Sequence, residues 1–195
     1  MKKLFVLAVV ALMTTVSASA QQMFIKPMVG ATLTTFTGDV HDNKMKVGLV
    51  AGAEFGYNFA ENMGVTAGLL YSMQGSAIKD VDEKYKMDYL NIPVLFNYYI
   101  VPGLAVKAGV QPGFLLSAKS KGEVHTGSGW AEYDHSGTDG YKKFDLSIPL
   151  GLSYEISDFV IDARYNLGLT NINDDSNVKN KNSVIMLTVG YKIPF

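Results

Sequence analysis

VIMLTVGYKIPF, residues 184–195, sets Ile185, Leu187, Val189, Tyr191, Ile193 and Phe195 at every second position. Side chains two residues apart share one face of a strand. The segment therefore reads as an extended strand with one wholly apolar, partly aromatic face and an opposite face that carries Lys192.

The same phase can be followed backwards through seven more segments. Residues 25–34 set Ile25, Val29 and Leu33 against Lys26 and Thr32, and residues 47–59 set Val47, Leu49, Phe55 and Phe59 against Gly48, Glu54 and Asn58. Residues 64–74, 90–99, 104–116, 144–155 and 159–170 repeat the pattern. Each is close to the ten or so residues that a tilted membrane strand needs. The connectors alternate strictly. Those around residues 60–62, 101–103 and 157–158 are tight, whereas those at 37–45, 75–86, 118–143 and 171–183 are long and polar. Short turns on one rim, long loops on the other and both termini on the short-turn rim describe a membrane barrel. The expected fold is all-β, an eight-stranded antiparallel up-and-down transmembrane β-barrel over residues 21–195. A soluble lipocalin-like barrel would turn its bulky apolar side chains inward and its charges outward; here the apolar faces carry no charge.

Ahead of the barrel, Lys2 and Lys3 precede a ten-residue apolar run, residues 4–13, and a small polar stretch ending Ala18-Ser19-Ala20. This reads as a cleavable signal peptide, residues 1–20, whose apolar run is about half the ~20 residues of a spanning helix. The chain has no cysteine, which excludes a lipoprotein anchor, disulfides, thiol catalysis and cysteine metal sites. Net charge is −1, and loss of Lys2 and Lys3 takes it to −3. Nucleic-acid binding, which depends on clustered basic residues, is therefore not expected. Nineteen glycines, eleven tyrosines and ten phenylalanines suit a crowded β interior with aromatic belts.

The face opposite the apolar one collects Lys26, Glu54, Lys107, Asp145, Glu155, Asp162, Arg164 and Lys192, four of each sign. An eight-stranded barrel is filled by its own side chains, and buried charges must be paired. The expectation is a structural ion-pair network that plugs the lumen; a narrow ion path along the same residues is the alternative. His41, His125 and His135 fall in the long connectors, with Asp42, Asp134, Ser128 and Ser136 nearby. Such residues serve acid–base or metal chemistry, which would make a loop-borne lipid-modifying or proteolytic enzyme. They form no recognisable nucleophile motif, so no catalytic, metal or cofactor-binding residue is assigned and no cofactor is expected. Residues 171–175 lack the spacing of a calcium loop. Trp130 and Tyr133, in the longest connector, are candidate contacts to a partner.

Three stretches, YLNIPVL (89–95), KAGVQPGFLLS (107–117) and DARYNLGLTN (162–171), resemble the PorT-type outer-membrane β-barrel family common in Bacteroidetes. Tyr191 and Phe195 resemble the C-terminal assembly signal of bacterial outer-membrane barrels. The resemblance implies a Gram-negative outer-membrane location and an eight-stranded, porin-like barrel similar to the outer-membrane protein A and X barrels. It also implies outer-membrane lipid, the barrel-assembly machinery and an extracellular or secretion-system protein as partners. The family's seventh-strand arginine matches Arg164, which is expected to pair with a luminal acid such as Glu54. The implied role is non-enzymatic, with loops available for surface integrity, adhesion or partner binding.

Overall fold

The computed structural model describes residues 22–38, 43–78, 84–126, 129–138, 140–174 and 179–195. They form the strands β1 (Gln22–Gly38), β2 (Asn43–Lys44), β3 (Lys46–Ala60), β4 (Met63–Ile78), β5 (Lys84–Asn91), β6 (Val94–Val101), β7 (Leu104–Thr126), β8 (Gly129–Ser136), β9 (Phe144–Ile156), β10 (Phe159–Gly168), β11 (Asn180–Tyr191) and β12 (Ile193–Pro194). Residues 1–20, read from the sequence as a signal peptide, lie outside the described residues, as do His41, Asp42 and Ser128.

The barrel is closed, antiparallel and eight-stranded. Going round it, β1 pairs with β3, β3 with β4, β4 with β5 and β6, these with β7, and β7 with β9; β10 and β11 follow, and β11 returns to β1. The closing seam runs from Met28 opposite Gly190 to Gly38 opposite Asn180, and β12 extends it by pairing Ile25 with Ile193. β5 and β6 are two halves of one barrel strand, interrupted at Ile92-Pro93. Pro93 has no N–H to contribute to a ladder; its carbonyl instead accepts from the Gly68 amide at 2.9 Å, and the Ile92 amide donates to the Pro112 carbonyl at 2.8 Å.

The alternating phase read from the sequence separates the two faces. Val29, Leu69 and Leu187 are 61%, 53% and 56% exposed on the outside, while Leu70 and Glu54 are 0% exposed inside. An exterior of this kind belongs against hydrocarbon. The C-terminal residue joins it: the Phe195 amide donates to the Met23 carbonyl at 3.0 Å, and its ring lies 5.9 Å from that of Phe55.

The long-connector end differs from expectation. Residues 118–143 were expected as a polar loop, yet β7 continues to Thr126 and β8 returns along it, from Lys119 opposite Ser136 to Thr126 opposite Gly129. Strand β1 likewise runs to Gly38, β4 to Ile78, and β5 begins at Lys84. Polar composition does not end a strand; backbone donors and acceptors beyond the membrane still pair where a neighbour is within reach.

Candidate functional site

In the lumen, the register that sets Lys26 of β1 opposite Glu54 of β3 brings their charged ends to 2.9 Å. From the other side of β11, Arg164 of β10 donates through Nη1 to Glu54 Oε1 at 2.5 Å and through Nε to Asp162 Oδ1 at 2.5 Å. Lys107 of β7 reaches Asp162 Oδ2 at 2.5 Å, and Lys26 lies 3.8 Å from the same oxygen. All five side chains are buried. Bare backbone makes room for them: a Cβ at Gly68 would stand 2.6 Å from Glu54 Cγ, and one at Gly151 would stand 2.9 Å from Arg164 Cγ.

The eight charges read from the sequence thus divide into three groups. Five form the central cluster. Near the short-turn end, Lys192 pairs with Glu155 at 2.8 Å, the Tyr99 hydroxyl donates to Glu155 at 2.9 Å, and the lysine ammonium lies 4.6 Å from the centre of the Phe24 ring. Asp145, towards the opposite end, accepts from Thr170 Oγ1 at 2.5 Å and Asn182 Nδ2 at 2.9 Å.

Two apolar groups that the charge-based reading passed over are also buried inside the barrel, among polar side chains such as Ser72, Gln74, Asn91 and Gln111. Met28, Val50, Leu70 and Met186 pack together, none more than 5% exposed. Met28 is two residues beyond Lys26, and Met186 stands opposite Arg164, so this group lies against the charged cluster on its long-connector side. At the mouth, Met87, Tyr89, Leu115 and Ala118 enclose Ile172, with Phe36 and Tyr141 against them. Ile172 comes from the β10–β11 connector, which turns inward: the Lys142 amide donates to its carbonyl, its own amide donates to Asn180, both at 2.8 Å, and Asn171 Oδ1 accepts from the amides of Asn173 and Asn180 at 3.3 and 2.9 Å. The signal for the first group was present as bulky apolar residues in the inward phase, whereas Ala118 and Ile172 of the second fall in stretches read as connectors.

Outside the barrel, β8 carries Trp130 opposite His125, and Tyr133 opposite Gly122. The backbone of His135 is also in β8; the side chains of these residues lie outside those described. Among the described residues β8 pairs with β7 alone, and no other described strand lies along its second edge.

A profile for the outer membrane protein beta-barrel domain matches residues 18–174. The chain belongs to that family. It is an outer-membrane protein, and in such barrels the short turns are periplasmic and the long connectors extracellular. Among solved structures, this outer-membrane barrel is similar to Ail, the attachment invasion locus protein of Yersinia pestis, in a complex with the heparin analogue sucrose octasulfate. Identity is 18%, coverage 90% of this chain and 100% of that one, and the TM-score 0.55. It is also similar to the Neisserial surface protein A, at 10% identity, 90% and 100% coverage and a TM-score of 0.51. At these identities the likeness concerns the fold. A search of curated proteins found no match.

Proposed function

We propose that this barrel is a non-enzymatic, non-conducting outer-membrane scaffold that binds an extracellular or secretion-system protein by strand addition to β8. The observation that carries the reading is that Gly129–Ser136 is held beyond the barrel by its pairing with β7 and pairs with no other described strand. An unpaired edge presents a row of amide and carbonyl groups on which an extended segment can be laid. The filled lumen supports the other half: a solute would have to displace the charged cluster and both apolar groups. The three stretches quoted above support membership of the PorT-type branch, and Tyr191 and Phe195 support recognition by the assembly machinery.

Joining Gly122 to Tyr133 through Asn-Gly, a favoured two-residue hairpin connection, removes the outer half of β8, residues 129–132, and spares the barrel. The shortened protein is expected to keep its heat-modifiable mobility in detergent and to lose cell adhesion and surface-partner binding. Trp130→Ala and Tyr133→Ala are expected to weaken binding less, since strand addition bonds through backbone. Full binding by the shortened barrel would remove β8 from the account, and single-channel steps in a planar bilayer would overturn the plugged lumen.

A further inference from the structure

β5 and β7 set Lys86 directly opposite Lys119 and Lys84 directly opposite Lys121. Like charges that face each other on neighbouring strands destabilise the pairing, their Cβ atoms being only about 5 Å apart. Lys86 and Lys119 are exposed. They are on the outer face, because the intervening pair, Met87 and Ala118, is buried in the mouth group at 1% and 3% exposure. Their remaining cross-strand neighbours are neutral: Gly75 stands opposite Lys86 on β4, and Ser136 stands opposite Lys119 on β8. Asp134 stands opposite Lys121, one row further from the membrane. Asp88, one row nearer to it, hydrogen-bonds the Tyr71 hydroxyl. Among the described residues, no acid faces Lys86 or Lys119 across either strand. Lys142 and Lys143, both exposed, adjoin β7 where the Leu115 amide donates to the Lys143 carbonyl at 2.8 Å.

Height identifies the counter-charge. Phe114 and Leu116 of β7, 43% and 52% exposed, are the last lipid-facing residues before Lys119. Three residues of tilted strand rise about 7 Å, and the headgroup layer is about 5–7 Å deep. The lysines therefore stand at headgroup level on the surface that touches lipid. Directly below them the rings of Phe114 and Phe144, 5.7 Å apart, offer an apolar wall to acyl chains.

We propose that Lys86 and Lys119, flanked by Lys142 and Lys143, bind the phosphate groups of an outer-leaflet glycolipid. A phosphate between two ammonium groups accepts charge-assisted hydrogen bonds from both and turns a repulsive pair into a bridge. A lipid source is favoured over a soluble polyanion because the pair adjoins the lipid-facing wall rather than the tip of the hairpin. This inference does not depend on the edge of β8.

The test uses the full barrel in phosphatidylcholine nanodiscs containing a small fraction of bisphosphorylated lipid A, or of the same lipid dephosphorylated. Glycolipid retained per barrel is counted by native mass spectrometry. Wild type should enrich the phosphorylated form, Lys86→Gln/Lys119→Gln should reduce that enrichment about 30-fold at ~1 kcal/mol per lysine, and Lys86→Arg/Lys119→Arg should preserve it. A second measurement separates binding from a structural role. Lys119→Gln should raise the unfolding midpoint in zwitterionic detergent, where the repulsion is unrelieved, and lower it in discs with phosphorylated lipid A. Equal retention by wild type and the glutamine variant, equal retention of both lipid forms, or a midpoint shift of one sign in both media would each overturn the proposal. Displacement of the lipid by millimolar inorganic phosphate or a sulfated oligosaccharide would assign the site to a soluble anion and overturn the lipid source.

Discussion

Asp162 lies 2.5 Å from both Arg164 and Lys107 and 3.8 Å from Lys26, so one carboxylate faces three cations. Glu54 holds two of the same three, Lys26 and Arg164. The cluster therefore has three cations for two acids, and its members are not equivalent. Asp162→Leu would leave three buried cations around Glu54, and removing one partner of a buried ion pair costs about 3–5 kcal/mol. Arg164→Leu would leave Lys26 on Glu54 and Lys107 on Asp162, a balanced set, and is expected to cost less. Urea unfolding of the two variants in detergent measures the order; a larger loss for Arg164→Leu would mean that guanidinium hydrogen bonds, rather than charge balance, set the energy. Apart from the Arg164–Glu54 pair, which the family resemblance implied and the structure contains, which charges meet was not legible in the sequence. Period-2 alternation assigns each residue to a face, but the stagger between strands decides which positions of β1, β3, β7 and β10 share a height. Thus Lys26, Lys107 and Arg164 converge, while Lys192 and Asp145, of the same phase, stand apart.

At the scale of elements, the strands and their faces could be read from hydrophobic phase because lipid demands an uninterrupted apolar exterior. The connectors could not. Beyond the membrane that demand ends, and polar strand and polar loop look alike, so β8 and the outer half of β7 were concealed within residues 118–143. The inward fold of the β10–β11 connector was equally hidden, since a single isoleucine among asparagines has no period. Ile172, 2% exposed, is nevertheless its anchor, and the amides of Lys142 and Ile172 donate to backbone carbonyls around it. Ile172→Ala is expected to release the connector locally, because the removed atoms leave a cavity in a packed group while the barrel ladders are untouched. Hydrogen exchange should accelerate at the Lys142 and Ile172 amides with no change in β1 or β11. Unchanged protection at both amides would show that Asn171 and the backbone bonds hold the connector without the buried side chain.

Across the whole molecule, closure of the β1–β11 seam leaves no unpaired edge in the membrane, as hydrocarbon requires, and leaves an interior that its own side chains occupy. The obstruction is built in series: Met28, Val50, Leu70 and Met186 lie against the charged cluster, and the group around Ile172 closes the mouth. Elements in series predict a particular response to their removal. Replacing Lys26, Glu54, Lys107, Asp162 and Arg164 together by serine should clear the charges and let water enter, yet the four apolar side chains beyond them would still exclude hydrated ions, whose transfer into an apolar constriction is costly. Replacing Leu70 and Met186 by alanine alone should fail as well, because the charged cluster would remain intact behind the cavity. A conducting path is expected only when the five serines, Leu70→Ala, Met186→Ala and Ile172→Ala are combined in one barrel that still shows heat-modifiable mobility. Planar-bilayer recordings of the three variants distinguish this arrangement from a single gate: conductance in the serine variant alone would mean that the ion cluster is the only barrier and that the apolar groups merely pack the wall.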